Sequence, residues 1–205
     1  MASAATTSND PIIAQANLTL LDAIQRVALS QMHVNSPDAQ SEPISHERDI
    51  SADHWVASVL LDINKAQIYF RVHFSTATSR KLLAQQLHVD AKNFEAITSH
   101  DQMKEFCNVV MGRIKGMLSA ELDKESTSKV FLPKVDPSYD NFSKIPTPGS
   151  GAVYDQRWWR ISWTDGELIL FARVKSQSGF GAETMKSLAN EQIILMDNDG
   201  EIEML

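Results

Sequence analysis

The chain of 205 residues holds one cysteine, Cys107, so it has no internal disulfide, and a domain of this size needs none. No run of apolar residues is long enough to span a bilayer, so no membrane association is expected. Positive charge is scarce: 19 Lys and Arg against 26 Asp and Glu leave a net charge of −7. That balance supplies no general attraction for nucleic acid or anionic lipid. The histidines His33, His46, His54, His73, His88 and His100 form no i, i+4 pair and have no carboxylate at metal spacing. One cysteine does not complete a zinc site, so no metal is expected. Gly179-Phe180-Gly181 before Lys186 is not a phosphate loop, because no glycine directly precedes the lysine. Asp197 to Glu201 lacks the ligand ladder of a calcium loop and reads as a tight turn. Ser126 and Lys129 match a serine–lysine pattern too short to carry meaning. Met1 to Pro11 has neither a basic start nor an apolar stretch, so it reads as a frayed tail and a cytoplasmic location is expected.

What is present is enough apolar residue, 43%, for one domain with a full core. Asn17 to Met32 carries Leu18, Leu21, Ile24, Ala28 and Met32 at helical spacing, with Asn17 as its candidate cap. His33 to Asp53, polar and interrupted by Pro37 and Pro43, reads as a loop or irregular crossing. Trp55 to Ile63 and Ala66 to Phe74 form a hairpin around Asn64-Lys65. Ser75, Thr76 or Thr78 then opens a second helix with Leu82, Leu83 and Leu87 toward the core. After a third helix running to about Leu122 come a polar break and a strand, Val130 to Val135, carrying Pro133. A loop from Pro137 to Gly151 leads to a second hairpin, Arg157 to Trp163 and Glu167 to Lys175, around Thr164-Asp165-Gly166. A short helix, Glu183 to Asn190, and a last hairpin, Ile193 to Met196 with Glu201 to Leu205, complete the reading. Helices and hairpins come in separate runs, so the fold class is α+β, an antiparallel sheet built from hairpins with two or three long helices packed on it. Trp55, Trp158, Trp159 and Trp163 have too few basic residues between them for nucleic-acid stacking, so core or dimer packing fits them better.

The third helix is the informative one. At about 100° per residue, Asp101, Glu105, Asn108, Gly112 and Gly116 share a stripe about 80° wide. Phe106, Val110, Ile114, Met117 and Leu118 occupy the opposite side, and Cys107 falls with them as a buried, inert thiol. Ser99 and Gln102 fit a capping box, which places Asp101 in the first turn, where a carboxylate favours the helix dipole. Each interior glycine costs about 1 kcal/mol relative to alanine, which suits a face that another backbone must approach. The plainer reading is a neighbouring helix of the same fold in those notches, with Glu105 and Asn108 merely solvated.

The pattern Asp101-x3-Glu105-x2-Asn108-x3-Gly112 resembles the signature of the CheC/CheX/FliY phosphatases, which act on the phosphorylated receiver CheY. The order of elements agrees over roughly residues 12 to 175, from an opening helix to a Pro-bearing strand and a closing hairpin. The opening helix offers Asp22 and Gln25 but no Glu-x-x-Asn pair, so a single signature resembles CheX rather than the doubled CheC. Residues 176 to 205 extend past the usual family end and are expected to pack on the same domain as a short helix and hairpin. The resemblance implies hydrolysis of a receiver's aspartyl phosphate, with Asn108 orienting the attacking water and Glu105 docking the receiver's lysine. It implies that Gly112 and Gly116 admit the receiver's backbone and that Asp101 supplements docking. The magnesium belongs to the receiver, so the chain needs no cofactor of its own, and a homodimer is expected. The alternative is a non-catalytic module of the same fold that binds a receiver or a second copy through the same helix.

Overall fold

A computed structural model describes residues 11–44, 55–63, 66–119, 128–137 and 153–176. Helix α1 (Pro11–His33) leads into a short strand β1 (Gln40–Pro43). The hairpin β2 (Trp55–Ile63) and β3 (Ala66–Phe74) follows, then α2 (Thr76–Leu87), a one-turn 3-10 helix (Ala91–Asn93) and α3 (Ala96–Ser119). Strands β4 (Ser128–Val130) and β5 (Lys134–Pro137) precede the long hairpin β6 (Val153–Trp163) and β7 (Gly166–Ser176). All pairings are antiparallel, in the order β1-β6-β7-β3-β2-β4, with β5 also on β2. The α+β class read from the sequence is therefore the observed one.

Period-two alternation builds the sheet's inner face. Ala57, Val59, Leu61 and Ile63 of β2 line up with Ile68, Phe70, Val72 and Phe74 of β3, and Trp159, Ile161, Leu168, Leu170 and Ala172 continue the layer. Helices α1 and α3 lie on this face. Residues of the opposite parity on β6 and β7, Trp158, Ile169 and Phe171, form a separate buried cluster with Tyr69 and Ile44. Burial on both faces explains why Leu168 to Ala172 is an unbroken apolar run. Trp158, Trp159 and Trp163 are buried within the chain, so they present no stacking platform.

Several expected boundaries move. Helix α1 begins at Pro11, a residue suited to a helix's first turn, so Asn17 is not its cap. Asn17 is instead fully buried; its amide donates to Asp155 (2.8 Å) and its oxygen accepts from the Ser176 hydroxyl. The stretch expected to be a loop contains β1, a polar edge strand that pairs Gln40 with Ser162 and ends at Pro43. The strand expected over Val130 to Val135 is two strands interrupted at Pro133, although the Phe131 amide still donates to the Leu60 carbonyl (2.9 Å). Helix α2 is capped by the Ser75 hydroxyl, which accepts from the Thr78 amide (3.0 Å), and its last residue, Leu87, is 52% exposed rather than facing the core. The β6–β7 turn is held from three sides. Asp38 accepts from the Thr164 amide and hydroxyl, Lys81 donates to the Asp165 carbonyl, and Gln85 donates to the Asp165 carboxylate. The expected tail before residue 11, the loop over 138–152, the end of the third helix beyond residue 119, and the extension beyond residue 176 lie outside the described residues.

Candidate functional site

Helix α3 is anchored by its apolar back. Met103, Phe106, Cys107, Val110, Met111, Ile114, Met117 and Leu118 are all buried against the sheet and α1. Burial pushes the Cys107 thiol far up, so it stays protonated and inert. At the N-terminal end, His100 packs between Trp55 (4.5 Å) and Phe74 (5.6 Å), at the start of β2 and the end of β3. From there α3 runs along β2 toward β4, antiparallel to α1, whose Asn17 sits at the opposite end of the sheet beside Asp155 and Ser176.

The start of α3 differs from the expected capping box. The helix begins at Ala96, so Ser99 lies inside its first turn and Asp101 in its second. Ser99 donates back to the Ala96 carbonyl (2.8 Å) and accepts from the Ser79 hydroxyl (3.0 Å), joining α2 to α3. The pKa of His100 lies below its usual value, because burial disfavours the charged ring. Lys104 and Arg80 add to the depression, and Asp101 opposes it.

The polar front comes out as the spacing dictates. Asp101, Glu105, Gly112 and Gly116 are exposed, and Asn108 is half-buried between them. Asp101 forms a surface ion pair with Lys104 (2.8 Å), one turn along the same helix. The Asn108 amide lies 3.4 Å from the Glu105 carboxylate, a long and weak hydrogen bond that holds the pair side by side without locking either group. Methyl groups built on Gly112 and Gly116 would meet nothing within 4 Å, so among the described residues no neighbouring helix fills these notches. Among the described residues, the packing of a neighbouring helix against these glycines is not seen.

Asp101, Glu105, Asn108, Gly112 and Gly116 thus share one face that is open among the described residues. Among the described residues no hydrogen bond or ion pair ties that face to another element. An acceptor–donor amide, a carboxylate one turn away and a floor without side chains can hold a water and admit a partner's loop. No group of three or more His, Cys, Asp or Glu is placed to bind a metal among the described residues. A shallow pocket lined by Lys81, Gln85, His88, Asp90 and Asp165 includes no residue of α3. Among the described residues no helix is long and apolar enough to cross a membrane.

Known proteins were compared with the chain by sequence and by shape. No family model matches the sequence, and neither does any curated protein. Shape does match. A chemotaxis protein CheX from Vibrio vulnificus superposes with a TM-score of 0.58 at 11% identity, covering 76% of this chain and 98% of its own. A CheC-like superfamily protein from a Shewanella species gives 0.55 at 12% identity, over 77% and 98%. The CheX of a CheX–CheY–BeF3–Mg2+ complex from Borrelia burgdorferi gives 0.52 at 16% identity, over 78% and 97%. At these identities the likeness is one of architecture, and it establishes that this chain carries the CheX and CheC-like fold of the CheC/CheX/FliY family.

Proposed function

We propose that the chain hydrolyses the aspartyl phosphate of a CheY-like response-regulator receiver, using the front of α3. The observation that carries this reading is the Glu105–Asn108 pair, adjacent and open to solvent above a glycine floor. An aspartyl phosphate is an activated acyl phosphate, and the receiver supplies its own magnesium. The phosphatase then has mainly to place a water in line and complete the charge balance. In the free protein Glu105 and Asn108 face each other. When a receiver docks, its lysine takes the Glu105 carboxylate, which releases the Asn108 amide for the water. The carboxamide oxygen accepts one water hydrogen while its NH2 faces the phosphoryl oxygens. The water oxygen bonds to phosphorus, the bond from phosphorus to the aspartyl oxygen breaks, and the carboxylate leaves. The water's proton ends on phosphate or solvent.

Gly112 and Gly116 lie about 6 and 12 Å beyond Asn108 along the axis and leave room for the receiver's backbone. Asp101, paired with Lys104, supplements docking at the other end. A CheX of this fold has been crystallised with CheY, BeF3 and Mg2+, which supports a receiver as the class of partner. A homodimer is the expected assembly, to be read by light scattering.

The test follows phosphate release from a CheY-like receiver phosphorylated with acetyl phosphate in Mg2+. Asn108→Ala and Glu105→Ala are each expected to slow it by about 10²-fold or more. Wild-type rates in both variants would refute the assignment. Capture of the receiver without any shortening of its phosphorylated lifetime would select the non-catalytic binding module instead.

A further inference from the structure

Helix α3 carries one large exposed apolar side chain beside its polar stripe among the described residues. Ile97, in the helix's first turn, is 72% exposed. It lies eleven residues before Asn108, which returns to within about 20° of the same direction after three turns. It therefore heads the stripe of Asp101, Glu105, Asn108, Gly112 and Gly116, about 12 Å from Glu105 along the axis. Single exposed apolar side chains are common on protein surfaces and need no explanation. This one is set apart by its line with the Glu–Asn pair.

We infer that Ile97 is the apolar anchor of receiver docking, a specificity-determining residue that contacts the receiver beside its phosphorylation pocket. The inference rests on the phosphatase reading above and deepens it. A standard protein interface covers about 800 Å² on each partner, a patch about 16 Å in radius. A receiver with a footprint of this size centred on Glu105 and Asn108 covers Ile97, about 14 Å from that centre along the axis. Toward the other end the same patch reaches Gly116, where a methyl group would meet nothing within 4 Å among the described residues. Within this footprint Ile97 is the large exposed aliphatic side chain of α3, at the end opposite Gly112 and Gly116. Burying an exposed aliphatic side chain contributes more to binding than a solvent-exposed ion pair such as Asp101–Lys104.

The proposal separates binding from chemistry. Removing Ile97 takes away affinity shared by ground and transition states, so KM rises while kcat holds, whereas removing Asn108 lowers kcat. The experiment titrates the acetyl-phosphate-charged receiver against wild type, Ile97→Asp, Ile97→Leu, Asn108→Ala and Leu18→Asp. Affinity for the BeF3–Mg2+ form of the receiver is measured in parallel. Aspartate in a first helical turn suits the dipole, so Ile97→Asp keeps α3 folded, as circular dichroism will register. Leu18, 41% exposed on α1, controls for a charge placed on any apolar surface site.

Ile97→Asp should raise KM, and weaken BeF3-receiver binding, about tenfold with kcat within about twofold of wild type; Ile97→Leu and Leu18→Asp should match wild type. An unchanged KM for Ile97→Asp alongside a slow Asn108→Ala overturns the anchor and leaves the phosphatase reading standing. A shift from dimer to monomer with KM unchanged assigns the face to a second copy, which also overturns it. Full activity in Asn108→Ala and Glu105→Ala refutes the phosphatase reading, and the BeF3-receiver affinities then decide the anchor by themselves. A wild type that neither binds nor dephosphorylates the receiver removes both proposals.

Discussion

Helices α1 and α3 are near twins in length and placement, 23 and 24 residues lying antiparallel on one face of the same sheet. Their polar groups meet opposite fates. On α1, Asn17 is bonded to Asp155 and Ser176, Asp22 pairs with Arg157, and Gln25 donates to Ser41 (2.8 Å) while accepting from Arg157 (3.4 Å). Each of these bonds reaches across to the sheet. On α3, Asp101 bonds only Lys104 and Glu105 only Asn108, both within the helix, among the described residues. One helix uses its polar residues to fasten itself down. The other is fastened by its apolar back and by the Ser79–Ser99 bond to α2, and the polar residues of its front bond no other element among the described residues. Polarity on a helix face is thus no guide to function until its partners are known.

The widest contrast should appear in activity. Asn108→Ala or Glu105→Ala is expected to lower receiver dephosphorylation by about 10²-fold, whereas Asp22→Ala and Gln25→Ala should leave it within about twofold. Phosphate-release assays on the four variants check this, and a rate loss from the α1 changes would erase the distinction between the helices.

Stability should reverse the ranking. Asn17→Ala leaves Asp155 and the buried Ser176 without their shared partner, so urea denaturation should show a loss of about 1–3 kcal/mol. Asn108→Ala, at a half-buried site bonded only weakly within its helix, should lie within about 0.5 kcal/mol of wild type.

The glycines sharpen the same point. A methyl group on Gly112 would meet none of the described residues within 4 Å, so Gly112→Ala should stabilise the protein by about 0.5–1 kcal/mol in the same titration. Gly112→Leu should keep the helix and yet slow the receiver's dephosphorylation, because its side chain fills the floor. A destabilised Gly112→Ala would mean that the notch already holds something.

The smallest effect concerns His100. Its pKa is lower folded than unfolded, so the unfolded chain binds the proton more readily. The associated stability is complete above about pH 6.5 and is lost as pH falls from there through the folded value. Thermal melts of His100→Phe should show a shallower loss of stability below that pH than wild type.

Periodicity made the central elements readable. The two long hairpins and the back of α3 alternate or repeat because burial selects apolar side chains at fixed intervals, and the same arithmetic aligned Glu105, Asn108 and the glycines. What escaped reading depended on partners distant in sequence. Asn17 looks like a cap because asparagine favours caps; its buried role rests on Asp155 and Ser176, more than 130 residues away. Strand β1 was hidden because a four-residue edge strand made of Gln, Ser, Glu and Pro carries no apolar alternation. Helix α3 starts before Ser99, a good cap by type, because that hydroxyl is occupied with Ala96 and Ser79 instead. The candidate site itself was legible because all its residues lie on one helix. Its openness was not, since only the fold reveals that none of the described residues occupies the glycine notches.

The most direct measurement is the decay of a phosphorylated CheY-like receiver mixed with saturating protein in a single turnover, wild type beside Asn108→Ala. The account predicts rapid loss of the phosphoryl group with wild type and a lifetime at least about 10²-fold longer with Asn108→Ala, while both bind the BeF3-loaded receiver equally. Equal decay with the two proteins would contradict it.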